Sequence, residues 1–520
     1  MPALAVAGRR DPELCDCEPM LPQTAAEAAR RFGDATAYVT DTGWALTYTD
    51  VDRASDEVAA GLARRGVGIG DVVALVLPPG PEYLLAYLGA AKVGAITAGV
   101  NDRLAPAERD AAIARATPRL VVARSDLAPT TDADVESIEE AEDPEGVLRT
   151  LRVPDGTPDP LPDDPDRAAA IIFTSGTTGT PKGALYTNRQ LAFITATDVG
   201  ETWGGGGRSV TGTSFAHLGF MTKLPGNLRR GGTTFIMKRW RAAAALDLLE
   251  RERMTTLAGV PTQLALMLRD PDFDARDLAS VQLIVVGGGP VTPGLAEEAR
   301  ARFRAALATR YSCTEAGIGL GTAFDDPEED AVISVGRPHP AVHLAVLDPD
   351  DRPVPPGEVG AVCLRSPAVM AGYWRDPEAT AAAFTADGHV RTGDLGWVDD
   401  RGRLRLVGRT KEMYVRGGYN VYPVEVEAVL SAHPDVAAVA VTPRPDPVMG
   451  EIGVAVVVPR DPARPPTLAA LRDHAGASLA AYKLPEALVP VAELPLTPGE
   501  KVDRAALATL VAESDDTGVR

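Results

Sequence analysis

Short apolar runs alternate with helical patterns through the first two thirds of the chain, and this alternation limits the fold more than any other feature. Runs at 72–77, 121–122, 168–173 and 283–286 read as strands, and 81–92, 105–116, 246–253 and 294–304 read as helices. Strands separated by helices make a layered α/β unit. Thr24 and Glu27 have the spacing of a capping box for a helix running to Phe32. The weakly polar stretch 83–100 carries Lys92 and suits a packed helix better than a membrane span. Past roughly residue 330, short strands at 342–347 and 359–364 flank the turn-forming DPDDRPVPPGE, which indicates a β-rich subdomain. From residue 424 the pattern is a helix to 431, strands at 436–441 and 452–458, a helix at 468–479 and a polar tail, a small α+β module.

Composition removes several classes of function. A chain of 520 residues, 45% apolar and 24% charged, has material for two or more folded domains and no signature of wholesale disorder. Its 52 basic and 72 acidic side chains give a formal charge of −20, which repels nucleic-acid backbones and anionic lipid but leaves room for a local cationic pocket. Cys15, Cys17, Cys313 and Cys363 are too few for a disulfide framework. With no secretory signal or spanning segment recognisable, the expected location is the cytoplasm.

Thr174-Ser-Gly-Thr-Thr-Gly-Thr-Pro-Lys-Gly183 follows directly on the apolar run 168–173. Its glycines let backbone approach a ligand, its hydroxyls and amides donate hydrogen bonds, and Lys182 adds a point charge, so the segment reads as a phosphate cradle. It is not a Walker A loop, because Pro181 precedes Lys182 and Gly183, not Ser or Thr, follows it.

This loop resembles the signature loop of the adenylate-forming (ANL) superfamily, which comprises acyl-CoA synthetases, peptide-synthetase adenylation domains and luciferases. Tyr311-Ser-Cys-Thr-Glu315, Arg391-Thr-Gly-Asp-Leu-Gly396, Gly408-Arg-Thr-Lys-Glu412, Gly417-Gly-Tyr-Asn-Val-Tyr-Pro-Val-Glu425 and Leu496-Thr-Pro-Gly-Glu-Lys501 follow in the family's order. The similarity runs from Asn101-Asp-Arg-Leu to Lys501 and favours the acyl-CoA synthetase branch, which activates fatty or related carboxylic acids. It implies an N-terminal AMP- and acyl-binding domain at 1–408, a hinge at 409–411 and a mobile C-terminal domain at 412–520. ATP, Mg²⁺ and CoA are the implied cofactors. A carboxylate would attack the α-phosphate of ATP to give acyl-AMP and pyrophosphate, and a thiol would then take the acyl group.

The same resemblance assigns roles. Thr174, Ser175, Gly176, Thr177, Thr178, Gly179 and Lys182 would hold the β- and γ-phosphates, with Thr174 and Glu315 on the magnesium ion. Tyr311 would stack on adenine, with Ser312 against the nucleotide and Thr314 on the α-phosphate. Gly287, Gly288 and Gly289, with Pro290, would pass backbone along the adenine edge and the acyl chain. Asp394 would accept the ribose hydroxyls with Arg409 assisting, and Lys501 would bridge the reacting carboxylate and α-phosphate. Rotation about Arg409 and Lys411 would exchange Lys501 for Gly417 and Gly418, opening a path for the pantetheine thiol. The expected catalytic set is Lys501, Glu315, Thr174 and His217. Only seven of the 52 cations are lysines, at 92, 182, 223, 238, 411, 483 and 501, so three lysines inside motifs support functional roles.

One departure stands out: the family usually has glycine before the last lysine, and here Glu500 takes its place. Glu500 is expected in solvent, the alternative being a pair with Lys501 when the small domain is turned away. Acyl specificity is expected at 213–222, 287–290 and 317–321. Ala216 stands where amino-acid-activating relatives carry aspartate, so an ammonium would go unpaired and amino acids are poor candidates. Gly317, Gly319 and Gly321 suggest space for an apolar or aromatic acid, and His217 either gates the carboxylate or stacks on the acyl chain. His339 and His343 have a zinc-pair spacing, but the strand pattern 342–347 would keep them apart. Cys15 and Cys17 read as free thiols and Cys313 as a buried filler.

Two rival readings are an acyl-AMP ligase loading a separate carrier protein and a nucleotide-binding regulator without turnover. The short path from Met370 to Asp394 leaves little room for the insertion typical of enzymes that stop at acyl-AMP, and the 19 residues after Lys501 are too few for a fused carrier domain. Glu315, Lys411 and Lys501 together exceed what binding alone requires.

Overall fold

The computed structural model describes residues 20–174, 181–289, 291–324, 326–410, 412–498 and 500–516. Among these residues the strands form five sheets. The first has parallel strands in the order Ala168–Thr174, Ile96–Gly99, Val72–Val76, Leu120–Arg124 and Asp134–Ile138. Lys182–Thr187 and then Gly372–Tyr373 extend it by antiparallel pairing. Val72–Val76 is buried at every position, as expected of a parallel strand covered on both faces. Helix Pro81–Lys92 is also buried almost all round, which explains its lack of a polar face.

Two local expectations fail here. The stretch 83–100 is not one helix: it ends at Lys92, turns through Gly94 at φ +75°, and becomes the central strand Ile96–Gly99. The buried Lys92 is held at 2.6 Å by both Asp52 and Asp56. Likewise, the first helix is Leu21–Phe32, with Met20 at its cap and proline in its first turn, so Thr24 lies buried inside the helix instead of capping it.

A second sheet runs parallel through Thr256–Gly259, Leu283–Gly287 and Ala306–Tyr311, then antiparallel through Leu320–Gly321 and Arg337–Pro338. A third combines Thr36–Val39, Ala45–Thr47, Arg208–Thr211 and Thr233–Ile236. The β-rich subdomain is the antiparallel sheet of His343–Leu347, Gly360–Arg365, Val390–Val398 and Leu404–Arg409. Arg403 joins it to the rest, reaching buried Asp399 at 2.7 Å and buried Asp330 at 2.5 Å.

The last sheet belongs to the small module. Val436–Asp446 and Gly450–Pro459 form its long hairpin, flanked by Ala487–Pro490, Tyr414–Arg416 and Tyr419–Val421. Helices Pro423–Leu430 and Leu468–Gly476 bury Val426, Leu430 and Leu471 with Tyr414, Val441 and Val457. The polar tail is in fact helix Arg504–Asp516, whose Leu507 and Val511 pack with Ala440, Val454 and Val456. This helix covers the second face of the sheet and so completes the module's core.

The small module sits against the large unit. Arg269 donates to the carbonyl of Ala437, Thr262 Oγ1 to the carbonyl of Glu500 at 2.8 Å, and Arg103 pairs with the Glu500 carboxylate at 2.9 Å. No helix among the described residues is long and apolar enough to cross a membrane.

Candidate active site

The expected residues converge where strands Ala168–Thr174 and Ala306–Tyr311 end, on the carboxyl side where open α/β sheets bind ligands. Thr174 closes the first of these strands, pairs in register with Lys182, and directs its hydroxyl to the Lys182 carbonyl at 3.4 Å. Ser175, Gly176, Thr177, Thr178 and Gly179 lie outside the described residues, as do Pro290, Lys411, Cys15 and Cys17.

Tyr373, which sequence reasoning missed, ties the cradle to the next motif. Its hydroxyl donates to Glu315 Oε1 at 2.7 Å, and Lys182 Nζ stands 5.2 Å from its ring centroid. Burial, with Glu315 alongside, pushes the Tyr373 phenol well up, so it remains a donor. Tyr186 makes a second tie, donating to the Thr314 carbonyl at 2.6 Å. Ser312 Oγ turns to the Cys313 carbonyl. Cys313 is half-buried, not fully buried as expected of a filler, but burial of its thiol with Glu315 nearby raises it well above its ordinary range and keeps it neutral.

Asp394 joins two elements. Its Oδ2 accepts from the Tyr311 hydroxyl at 2.6 Å, and its Oδ1 accepts from Arg409 Nε at 2.9 Å across the neighbouring strand. The carboxylate and guanidinium are thus fixed before any nucleotide arrives. Gly287 lies so close to the next strand that a Cβ would meet the Arg310 carbonyl at 2.7 Å, and Gly288 takes φ +80°. Gly289 meets only ordinary contacts with Pro261.

The glycines at 317–321 do not leave the space expected of them. A Cβ at Gly317 would lie 2.4 Å from the Ala368 carbonyl, and one at Gly319 would lie 2.1 Å from that of Tyr311. They permit close backbone packing. Gly219, by contrast, is solvent-exposed, and a Cβ there would meet nothing within 4 Å.

His217 is placed by aromatic packing. Phe215 is fully buried, stacks on Phe220 with centroids 3.6 Å apart and meets the edge of Tyr83. Gly99 admits this segment, since a Cβ there would come within 2.9 Å of Ala216 Cα. Asn101 Oδ1 accepts from the Arg103 amide at 3.0 Å, which fixes its amide so that Nδ2 donates to His217 Nε2 at 2.9 Å. The His217 proton therefore sits on Nδ1. Burial, then the charges of Lys501 and Arg103, lower its pKa to about 4, so it is neutral at pH 7.

Lys501 is presented by a tight hairpin: the Thr497 amide donates to its carbonyl at 2.7 Å, and Leu496 bridges Val502. Its pKa is lowered, first by burial and then by Arg409, against the pull of Asp394 and Glu315. Lys501 is solvent-accessible yet surrounded by these groups, which makes the site an open cleft between the large unit and the small module. A cavity of about 240 Å³ lies elsewhere, lined in part by Gln23, Asp52, Asp56 and Lys92. Glu500 does not point to solvent as expected; it meets Arg103.

The sequence profile described as AMP-binding enzyme matches residues 25–374, and that of the AMP-binding enzyme C-terminal domain matches 425–501. The chain belongs to the adenylate-forming superfamily, in its acyl-CoA synthetase branch. Feruloyl-CoA synthase of Amycolatopsis sp is 35% identical over 91% of this chain and 95% of its own. The fatty acid–acyl-carrier-protein ligase ScoC of Streptomyces coeruleorubidus is 32% identical over 89% and 91%. The crystal structure of ATP-bound MatB from Rhodopseudomonas palustris has a TM-score of 0.84 and 28% identity, covering 95% of this chain and 99% of that one.

Not every motif of this synthetase reaches the cleft. Gly417 and Gly418, at φ +54° and +87°, turn an exposed hairpin between Tyr414–Arg416 and Tyr419–Val421, with Gly417 donating to the Met449 carbonyl. Their neighbours belong to the small module, so a role beside the thiol requires that module to rotate.

Proposed function

We propose that this protein is an AMP-forming acid–thiol ligase: it activates a carboxylic acid with ATP as acyl-AMP, releases pyrophosphate, and passes the acyl group to CoA with release of AMP. The observation that carries this reading is the docking of the Lys501 hairpin of the small module on Arg103 and Thr262, in one cleft with His217, Glu315 and Asp394 of the large unit and Arg409 at the hinge. The organisation that follows is a large domain at 1–408, a hinge at 409–411 and a mobile domain at 412–520.

In the first half-reaction the acid's carboxylate oxygen attacks the α-phosphate and pyrophosphate leaves. Negative charge grows on oxygens between the two reactants, and the Lys501 ammonium, held at the cleft by its hairpin, stabilises it. Neutral His217 offers an Nδ1–H without a charge that would hold the attacking carboxylate in its ground state. Asp394, already oriented by Tyr311 and Arg409, accepts the ribose hydroxyls, while Lys182 and the loop that begins at Thr174 hold the outer phosphates.

Magnesium fits this set through Glu315, a hard oxygen donor whose carboxylate is oriented by Tyr373. No three His, Cys, Asp or Glu side chains gather for a metal among the described residues, and Mg²⁺ bound with phosphates needs only one or two carboxylates. When bound, it would neutralise phosphate charge.

For the acid, the feruloyl-CoA synthase relative favours an aryl-substituted acid. The ScoC relative supports the second reading, in which a carrier-protein phosphopantetheine takes the acyl group. We place the enzyme in the cytoplasm, where its thiols stay reduced. A panel of carboxylic acids assayed for ATP-dependent AMP release, with CoA, with a phosphopantetheinylated carrier protein and with neither, tests the reading. Release with an aryl acid and CoA is expected; release with no acid under any condition would overturn it.

A further inference from the structure

We propose that Glu500 and Arg103 form a releasable lock that holds Lys501 in the cleft during adenylation, so that breaking this pair divides the two half-reactions. The inference rests on Lys501 acting in the first half-reaction.

The hairpin that carries Lys501 requires an unusual residue before it. The Glu500 amide donates to the Thr497 carbonyl at 2.9 Å, and Glu500 itself takes φ +60°, the left-handed position that glycine fills without strain in such hairpins. The usual family glycine is therefore a backbone requirement. A glutamate kept there is strained, and in the docked arrangement two contacts offset the strain. Arg103 Nη1 meets Oε1 at 2.9 Å, and Thr262 Oγ1 donates to the Glu500 carbonyl at 2.8 Å.

Both partners belong to the large unit, whereas Glu500 belongs to the module that carries Lys501. The pair is mostly out of water, with side-chain exposures of 24% for Arg103 and 17% for Glu500, so it is less screened than a surface ion pair. Arg103 is also anchored: its Nη2 donates to the Gly212 carbonyl at 3.3 Å, and its amide donates to Asn101, the residue that orients His217. The lock thus ties the lysine hairpin to the groups that face the acid. Any rotation that withdraws Lys501 must separate Glu500 from Arg103 and Thr262 together. Glu500 Oε2 has no partner among the described residues, so a single charged contact closes the lock, which suits release.

The test compares the wild type with Glu500→Gln and with the exchanged pair Arg103→Glu/Glu500→Arg. ATP–pyrophosphate exchange reads the first half-reaction, and thioester formation from synthetic acyl-adenylate and CoA reads the second. Glu500→Gln should slow exchange by roughly five- to tenfold, as expected for a partly buried pair, leave the second half-reaction at least as fast, and flatten the salt dependence of exchange. The exchanged pair should recover a large part of the lost exchange. Exchange at the wild-type rate in Glu500→Gln, or an equal loss in both halves that the exchanged pair does not repair, would overturn the lock. Lys501→Ala serves as the control: if it keeps normal exchange, the reading of Lys501 has failed, whereas its loss beside an unaffected Glu500→Gln rejects the lock alone.

Discussion

Replacing His217 with glutamine should make the large domain less sensitive to acid. In the folded protein the His217 pKa is lowered to about 4, from the 6.5 of an unperturbed imidazole. The unfolded chain therefore binds a proton more readily than the folded one, and stability falls as pH drops from about 6.5 towards 4. At ~1.4 kcal/mol per unit, the full penalty is about 3 kcal/mol, of which about 2 kcal/mol develops between pH 7 and pH 5. Glutamine has no such titration and can still accept from Asn101. Urea unfolding of both proteins at pH 7 and pH 5 should show the wild type losing about 2 kcal/mol more than the variant. Other groups with lowered pKa, His339 and His433 among them, are common to both proteins and cancel. Parallel losses in the two proteins would refute the claim that His217 is held neutral by its surroundings.

Gly418→Ala has room for its methyl but strains a residue at φ +87°; exchange should stay within about twofold of wild type while thioester formation slows about tenfold, and equal slowing of both would contradict a role beside the thiol. Arg403→Leu removes the shared guanidinium from buried Asp330 and Asp399, which keep Arg337 and Arg405 as partners, and should lower unfolding stability by about 1–3 kcal/mol in a denaturant titration. Gly99→Ala crowds Tyr83, Ala216 and Met221, and should lower stability by about 1–3 kcal/mol while raising the KM for the acid and leaving that for ATP unchanged.

The fold class was legible because apolar periodicity follows from burial: strands Val72–Val76 and Ala168–Thr174 sit within a residue of where the pattern placed them. Helix Arg504–Asp516 was legible but missed: Leu507, Leu510 and Val511 stand at i, i+3 and i+4, and the polar residues after Ala512 hid the pattern. The helical pattern 81–92 ends where the helix does, at Lys92, but the strand Ile96–Gly99 went unmarked because helix and strand are both buried and equally apolar. In the site, the motifs singled out Tyr311, Glu315, Asp394 and Lys501, but nothing local announced Tyr373, and the Asn101-Asp-Arg-Leu segment gave no hint that Arg103 meets a residue 397 positions away. The hint available for Glu500 was the glycine it replaces; its partner became visible only when the small module docked.

The central claim is that Lys501 stabilises charge in adenylation and is dispensable once acyl-AMP exists. Measuring both half-reactions of Lys501→Ala tests it most directly. The account predicts a loss of about 10² or more in ATP–pyrophosphate exchange, with thioester formation from supplied acyl-adenylate close to the wild-type rate. Normal exchange in this variant would contradict it.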